Sequence, residues 1–375
     1  MILFLVISCS SLINLSSAYP VKVSYNGYWR QYRICHPPFN WSLPRGLKPK
    51  YEELFWVQPE NMRHFIDTNK SDHCAVVRLV RNGSVFLPYP NLSNVTHFIN
   101  TKTAPKQAKK TDYQLLLIMT GHWGHYFQHF FDNIGPQLSV AIDVMGLDLK
   151  KINIVVDTSQ LFPNVPKLWQ RMGFKEVIFS KVNKNYTAEN LVYIESTPRV
   201  HPHYFVNLRR FLKIPTNPPK KIIFISRKMS NSYYNQRFIL NEDELIEMIF
   251  QIYGKNNVVI YDHHNYTLDE TIQLFSQARA IIGAHGGGMY NQFFAPKSAV
   301  IIEIMPIKPN GLYPDQKSKD EIPSFSHMAV WSNSLLIGQT FYRYYQITYL
   351  SNFKIDLKKF EKFLSRVPEL IDDEL

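Results

Sequence analysis

The sequence predicts an α/β fold of two Rossmann-like halves behind an extended N-terminal segment. Three observations predict it. From Tyr113 onward, short Ile, Val and Leu runs alternate with amphipathic stretches, the pattern of strands and covering helices. The runs are continuous rather than alternating, as suits parallel strands buried on both faces. The alternation breaks once, at the proline-rich stretch Pro215 to Pro219, which splits it into two sets.

In chain order, residues 1–18 read as a signal peptide: an apolar run from Ile2 to Ile7, then Ser16-Ser17-Ala18 before Tyr19. Residues 19–110 hold much Pro, Asn and Ser with no helical period, and form an extended segment of the N-terminal domain. Residues 111–217 form the first Rossmann-like half: YQLLLIMT, a helical stretch from about Gly124 to Met145, INIVVD, a helix near Lys167, and VIF. Residues 218–350 form the second: KIIFIS, a helix capped near Asn241, VVIYD, a helix over Leu268 to Ala278, AIIGA and AVIIEIMP. Residues 351–375 give a C-terminal helix, whose stripe of Leu357, Phe360, Phe363, Leu364 and Val367 suits packing across the domain junction, and a tail. Lys308 to Ser326 lacks periodicity and reads as an acceptor lid or a plain surface loop.

The 375 residues carry a formal charge of +12, but Lys and Arg are dispersed, which argues against a nucleic-acid face. After signal removal no segment reaches the roughly 20 apolar residues of a membrane span. Secretory entry is supported by sequons at Asn40, Asn69, Asn82, Asn91, Asn94, Asn185 and Asn265. Cys35 and Cys74, the pair left once Cys9 departs, suit one disulfide or two buried thiols. The ending Asp372-Asp373-Glu374-Leu375 is a variant of the KDEL retrieval signal, which makes the endoplasmic reticulum lumen the expected location and a KDEL-type receptor an expected partner.

The chemistry concentrates in Ala278 to Pro306, where an apolar strand runs into His285-Gly286-Gly287-Gly288 and a short helix near Met289. Glycines at a strand-to-helix turn let a ligand approach the backbone, and a helix start offers N–H groups to phosphate. His285 stands at the carboxyl end of its strand, as a ligand residue or as a structural histidine. Arg227, after KIIFIS, and Arg237, before the helix opened by Asn241 and Glu242, can reach the same edge and clasp a diphosphate. In the first half, His122, His125, His129 and Asp132 are general-base candidates. His125, His129 and Asp132 share one helix face at i, i+4, i+7. The three histidines also suit zinc, which would make a hydrolase, although the glutamate of H-E-x-x-H is missing.

Phe224-Ile-Ser-Arg227, Arg237, Asn241-Glu-Asp-Glu-Leu245, the string ARAIIGAHGGGMYN and VIIEIMP together resemble glycosyltransferase family 61. GHWGHYFQHFFDNIGPQL upstream and SFSHMAVWSNSLLIGQTFYRYY downstream extend the resemblance over residues 113–350. The family includes EGF-domain-specific O-linked and O-mannose-linked N-acetylglucosaminyltransferases and plant xylan xylosyl- and arabinosyltransferases. Its usual H-G-A-G-L reads His285-Gly286-Gly287-Gly288-Met289 here. The resemblance implies a GT-B architecture with two domains facing a cleft, a UDP-sugar held by Arg227, Arg237, His285 and Gly286 to Gly288, and inverting transfer without an obligatory metal or cofactor. Glu303 is expected either to hold the ribose hydroxyls or to satisfy a helix N-terminus. N-acetylglucosamine is the preferred sugar and xylose the runner-up, with a protein hydroxyl or protein-linked glycan as acceptor. A catalytically inactive lumenal binding protein is the remaining alternative.

Overall fold

A computed structural model describes residues 20–24, 29–37, 45, 73–87, 94–101, 111–120, 124–157, 162–181, 183–196, 201–228, 237–310, 326–349 and 352–371. The fold is α/β, with one mixed and one wholly parallel sheet. Contacts divide the chain into Met1–Phe39 with Thr68–Lys213, and Asn40–Asp67 with Ile214–Leu375.

The first unit contains β1 (Pro20–Ser24), β2 (Trp29–His36), β3 (His73–Leu87), β4 (Asn94–Thr101), β5 (Tyr113–Met119), β6 (Asn153–Val156), β7 (Glu176–Phe179) and β8 (Lys184–Ser196). Their order is β4-β1-β3-β8-β5-β6-β7, with β2 also on β3. The run β8-β5-β6-β7 is parallel, whereas β3 pairs antiparallel with β1, β2 and β8. The described strands among residues 20–101 therefore widen the sheet of this unit. Cys35 lies opposite Cys74 across β2 and β3, and the two are disulfide-bonded.

The helical stretch begins at Phe127 and has three parts: Phe127–His129, a π turn over Phe130–Ile134, and α1 (Gly135–Met145). A π turn admits an extra residue and shifts the register of everything after it. Gly135 follows at once, and a β-carbon there would stand 2.6 Å from the Phe130 carbonyl oxygen and 2.7 Å from Leu208 Cδ2. Glycine thus lets the helix pack tightly against α3 (Pro202–Phe211). Between these, α2 (Asn164–Arg171) buries Leu168 and Trp169.

The second unit contains β9 (Lys221–Ile225), α4 (Glu242–Tyr253), β10 (Val258–Tyr261), α5 (Leu268–Phe275), β11 (Ala278–Ala284), β12 (Val300–Ile307), α6 (Ser326–Ile337), β13 (Thr340–Ile347) and α7 (Leu357–Leu364). Its sheet, β10-β9-β11-β12-β13, is parallel throughout, and every residue of β12 is buried. That explains the unbroken apolar run VIIEIMPI, because strands covered on both faces have no solvent side to alternate toward. Phe360, Leu364 and Val367 join this unit's own core with Phe224, Leu245 and Ile302. Leu357 and Phe363, the rest of the stripe, are partly buried against the same core. Arg45, from the stretch grouped with this unit, donates its backbone N–H to the Phe341 carbonyl at 2.8 Å and pairs with Glu369.

The signal-peptide residues, the DDEL tail and most of the expected lid lie outside the described residues, as do Asn40, Asn69 and Asn91. Asn94 opens β4, and Asn82, Asn185 and Asn265 are exposed. Among the described residues, no helix is long and apolar enough to cross a membrane.

Candidate functional site

In the second unit the chain lays down β9, steps outward to β10, then crosses back over β9 to β11. The neighbours β9 and β11 thus define the topological switch point, where the crevice at the carboxyl ends of an open α/β sheet takes its ligand. Arg227 follows β9 and His285 follows β11, so the two predicted residues meet there. Arg227 Nη1 donates to the His285 carbonyl at 2.8 Å. Burial, then the charge of Arg237, pushes the Arg227 guanidinium down to about 10, still protonated at neutral pH. The loop after β9 is held by Glu242, in the first turn of α4, which accepts from the Ser226 hydroxyl.

Gly286 has φ 152°, and a β-carbon there would overlap the Arg227 guanidinium. A side chain is therefore excluded both by backbone conformation and by the arginine beneath. The next turn, Gly287–Phe294, is 3-10, with Met289 N–H donating to the Gly286 carbonyl at 3.0 Å. Arg237 is half-buried with φ 83°, an uncommon conformation for a residue with a side chain, and its charge acts on both Arg227 and His285.

Behind the glycine turn lies a buried relay. Glu303 on β12 is opposite Arg343 on β13, and is itself 0% exposed. Arg343 donates to Glu303 Oε2 from Nε at 2.9 Å and reaches it with Nη2 at 2.7 Å, while His285 Nδ1 lies 2.6 Å from Oε1. Burial opposes ionisation of Glu303, but Arg343 and then His285 outweigh it and hold the carboxyl below its ordinary value. An ionised carboxylate only accepts, so Nδ1 of His285 carries the proton. Burial, helped by Arg237 and Arg343 and opposed by Glu303, lowers the His285 pKa, so the ring is neutral and Nε2 is its acceptor nitrogen. The oxygens of Glu303 thus serve His285 and Arg343.

In the first unit, His129 Nδ1 lies 3.0 Å from Asp132 Oδ1, and the Gln128 amide lies 3.2 Å from His129 Nε2. The amide donates to Nε2, so Nδ1 donates to Asp132. The expected one-face triad is corrected. His125 precedes the helix with its ring 4.4 Å from that of Tyr126, and His129 meets Asp132 at the start of the π turn. His122 lies outside the described residues. Among the described residues, neither His125 nor His129 belongs to a group of three side chains placed to ligate a metal; Asp262, His263 and His264 do.

Arg343 is the site residue that sequence reasoning missed. Its signal was an arginine inside the apolar strand TFYRYYQI, since a charge buried in a strand requires a partner.

Fold and site together define an α/β protein in which Arg227 lies against a glycine turn at the switch point of a parallel sheet. Residues 127–302 match the Glycosyltransferase 61 family. The matched stretch holds His129, Asp132, Arg227, Arg237 and His285. Alpha-1,3-arabinosyltransferase XAT3 of Oryza sativa subsp. japonica is 23% identical over 250 residues, covering 58% of this chain and 42% of the relative. Protein O-linked-mannose beta-1,4-N-acetylglucosaminyltransferase 2 of Xenopus laevis is 22% identical over 311 residues, covering 78% and 50%. The chain thus spans about half the length of these relatives.

Proposed function

We propose that the protein is an inverting glycosyltransferase of the endoplasmic reticulum lumen that moves a sugar from a UDP-sugar to a hydroxyl of a protein or protein-linked glycan, within a GT-B arrangement. The observation that carries the reading is the crevice between β9 and β11, where Arg227, Arg237 and the Gly286 turn converge in a chain that matches this family. Arg227 and Arg237 offset the charge that grows on the departing diphosphate, a role that needs no metal ion. His285, an acceptor at Nε2, takes a sugar or ribose hydroxyl rather than a phosphate oxygen, because phosphate at neutral pH has no proton to offer it. N-acetylglucosamine is the preferred sugar, since the relative matched over the larger share of this chain is named for it; a pentose is the alternative.

The acceptor is deprotonated by His129, with the proton passing to Nε2 once Gln128 yields it. Asp132 fixes the tautomer and stabilises the imidazolium. Replacing Asp132 by Asn is expected to lower kcat about a hundredfold to ten-thousandfold while UDP affinity stays within twofold. Full turnover in that variant would remove the dyad from the mechanism.

Calorimetric titration with UDP, GDP, CMP, UDP-N-acetylglucosamine and UDP-xylose, with and without EDTA, tests the donor reading. UDP and one UDP-sugar are expected to bind, indifferent to EDTA. A protein that binds none of them is not this enzyme, and the inactive lumenal binding protein then becomes the better account.

A further inference from the structure

We propose that the turn Asp262-His263-His264 is a binding site for a divalent transition-metal ion of the zinc class, separate from the sugar-donor crevice. The turn follows β10, the edge strand of the second unit's sheet, as a 3-10 turn over His263–Asn265. One ligand atom from each of the three side chains lies within 4.8 Å of the other two.

The turn is pre-formed by its own hydrogen bonds. Asp262 Oδ1 accepts the His264 backbone N–H at 3.0 Å, which fixes the carboxylate at the start of the turn. His263 Nδ1 lies 3.7 Å from the same oxygen, and the two imidazole rings lie side by side with centroids 3.8 Å apart. The next residues are anchored too, because Thr267 and Glu270 cap α5 reciprocally. Among the described residues the side-chain nitrogens of His264 make no hydrogen bond, so two adjacent rings are ordered with little protein to order them. A cation shared by the two rings and the carboxylate would use the three ligand atoms where they already lie together.

The donor set selects the ion. Two imidazoles and one carboxylate suit zinc, cobalt, nickel or copper, whereas calcium and magnesium take oxygen ligands. Three protein ligands leave a coordination position for water or an outside ligand. Because the ligands are consecutive and both histidines are exposed, the expected affinity is micromolar rather than that of a buried structural site.

The test is a zinc titration of the metal-free full chain, followed by calorimetry and by the visible spectrum of the cobalt form. It is repeated on the double variant His263→Ala, His264→Ala and on Asp262→Asn, whose amide oxygen keeps the bond to the His264 N–H. Wild type is expected to take up about one equivalent more than the double variant, with Asp262→Asn binding about tenfold more weakly. Equal uptake by wild type and the double variant overturns the proposal, as does zinc uptake that leaves the cobalt spectrum unchanged between them. UDP titration of the same variants is expected to match wild type, so the metal site and the donor reading fail independently.

Discussion

Replacing Glu303 by Gln is expected to destabilise the second unit by about 3–5 kcal/mol, because it leaves the wholly buried Arg343 guanidinium without its counter-charge. Chemical denaturation of the full chain measures it; a loss below about 1 kcal/mol would show that the relay does not hold the site together. The same pair sets a pH dependence. His285 is neutral in the folded protein with its pKa lowered from 6.5, so the unfolded chain binds the extra proton first as the solution is acidified. Stability is therefore full above about pH 6.5 and falls below it. Glu303, held below 4.5, adds a second loss beneath that value. In the Glu303→Gln variant the lower limb is expected to disappear, a readout that a purely steric defect would not produce.

Replacing Arg227 by Ala is expected to cut kcat/KM by about a hundredfold to a thousandfold and to weaken UDP in proportion, since one oriented cation facing a developing negative charge is worth that much. Gly286→Ala offers the same result by another route. It leaves the arginine in the chain but drives its guanidinium out of the crevice and strains the turn. Calorimetry with UDP decides: both variants are expected to lose most of the affinity. If Arg227→Ala fails and Gly286→Ala binds UDP normally, the crevice does not hold the diphosphate in the manner proposed.

How much was legible can be judged element by element. The strands β5, β6, β9, β10, β11 and β12 stood out because each is an unbroken apolar run, and His285 and the glycines because they interrupt one at its carboxyl end. The long strand β8 did not, since KNYTAENLVYIES mixes polar and apolar residues without a clean period. The strands before Tyr113 read only as extended chain, because their partners are distant in sequence. The His125, His129, Asp132 face rested on one uniform α-helix from about Gly124, whereas the helix begins at Phe127, after His125, and turns π over Phe130–Ile134, which changes the count of residues per turn.

By itself the sequence determined the alternation of strands and helices in both halves, the cationic and glycine-rich residues of the crevice, and the cysteine pair, because these depend on local composition and order. Only the tertiary structure decided what each residue faces. It brought Arg343 from β13 onto Glu303, set Glu303 against His285, and paired His129 with Asp132. Strand order and helix register join residues 18 and 40 positions apart, and no local pattern carries that information.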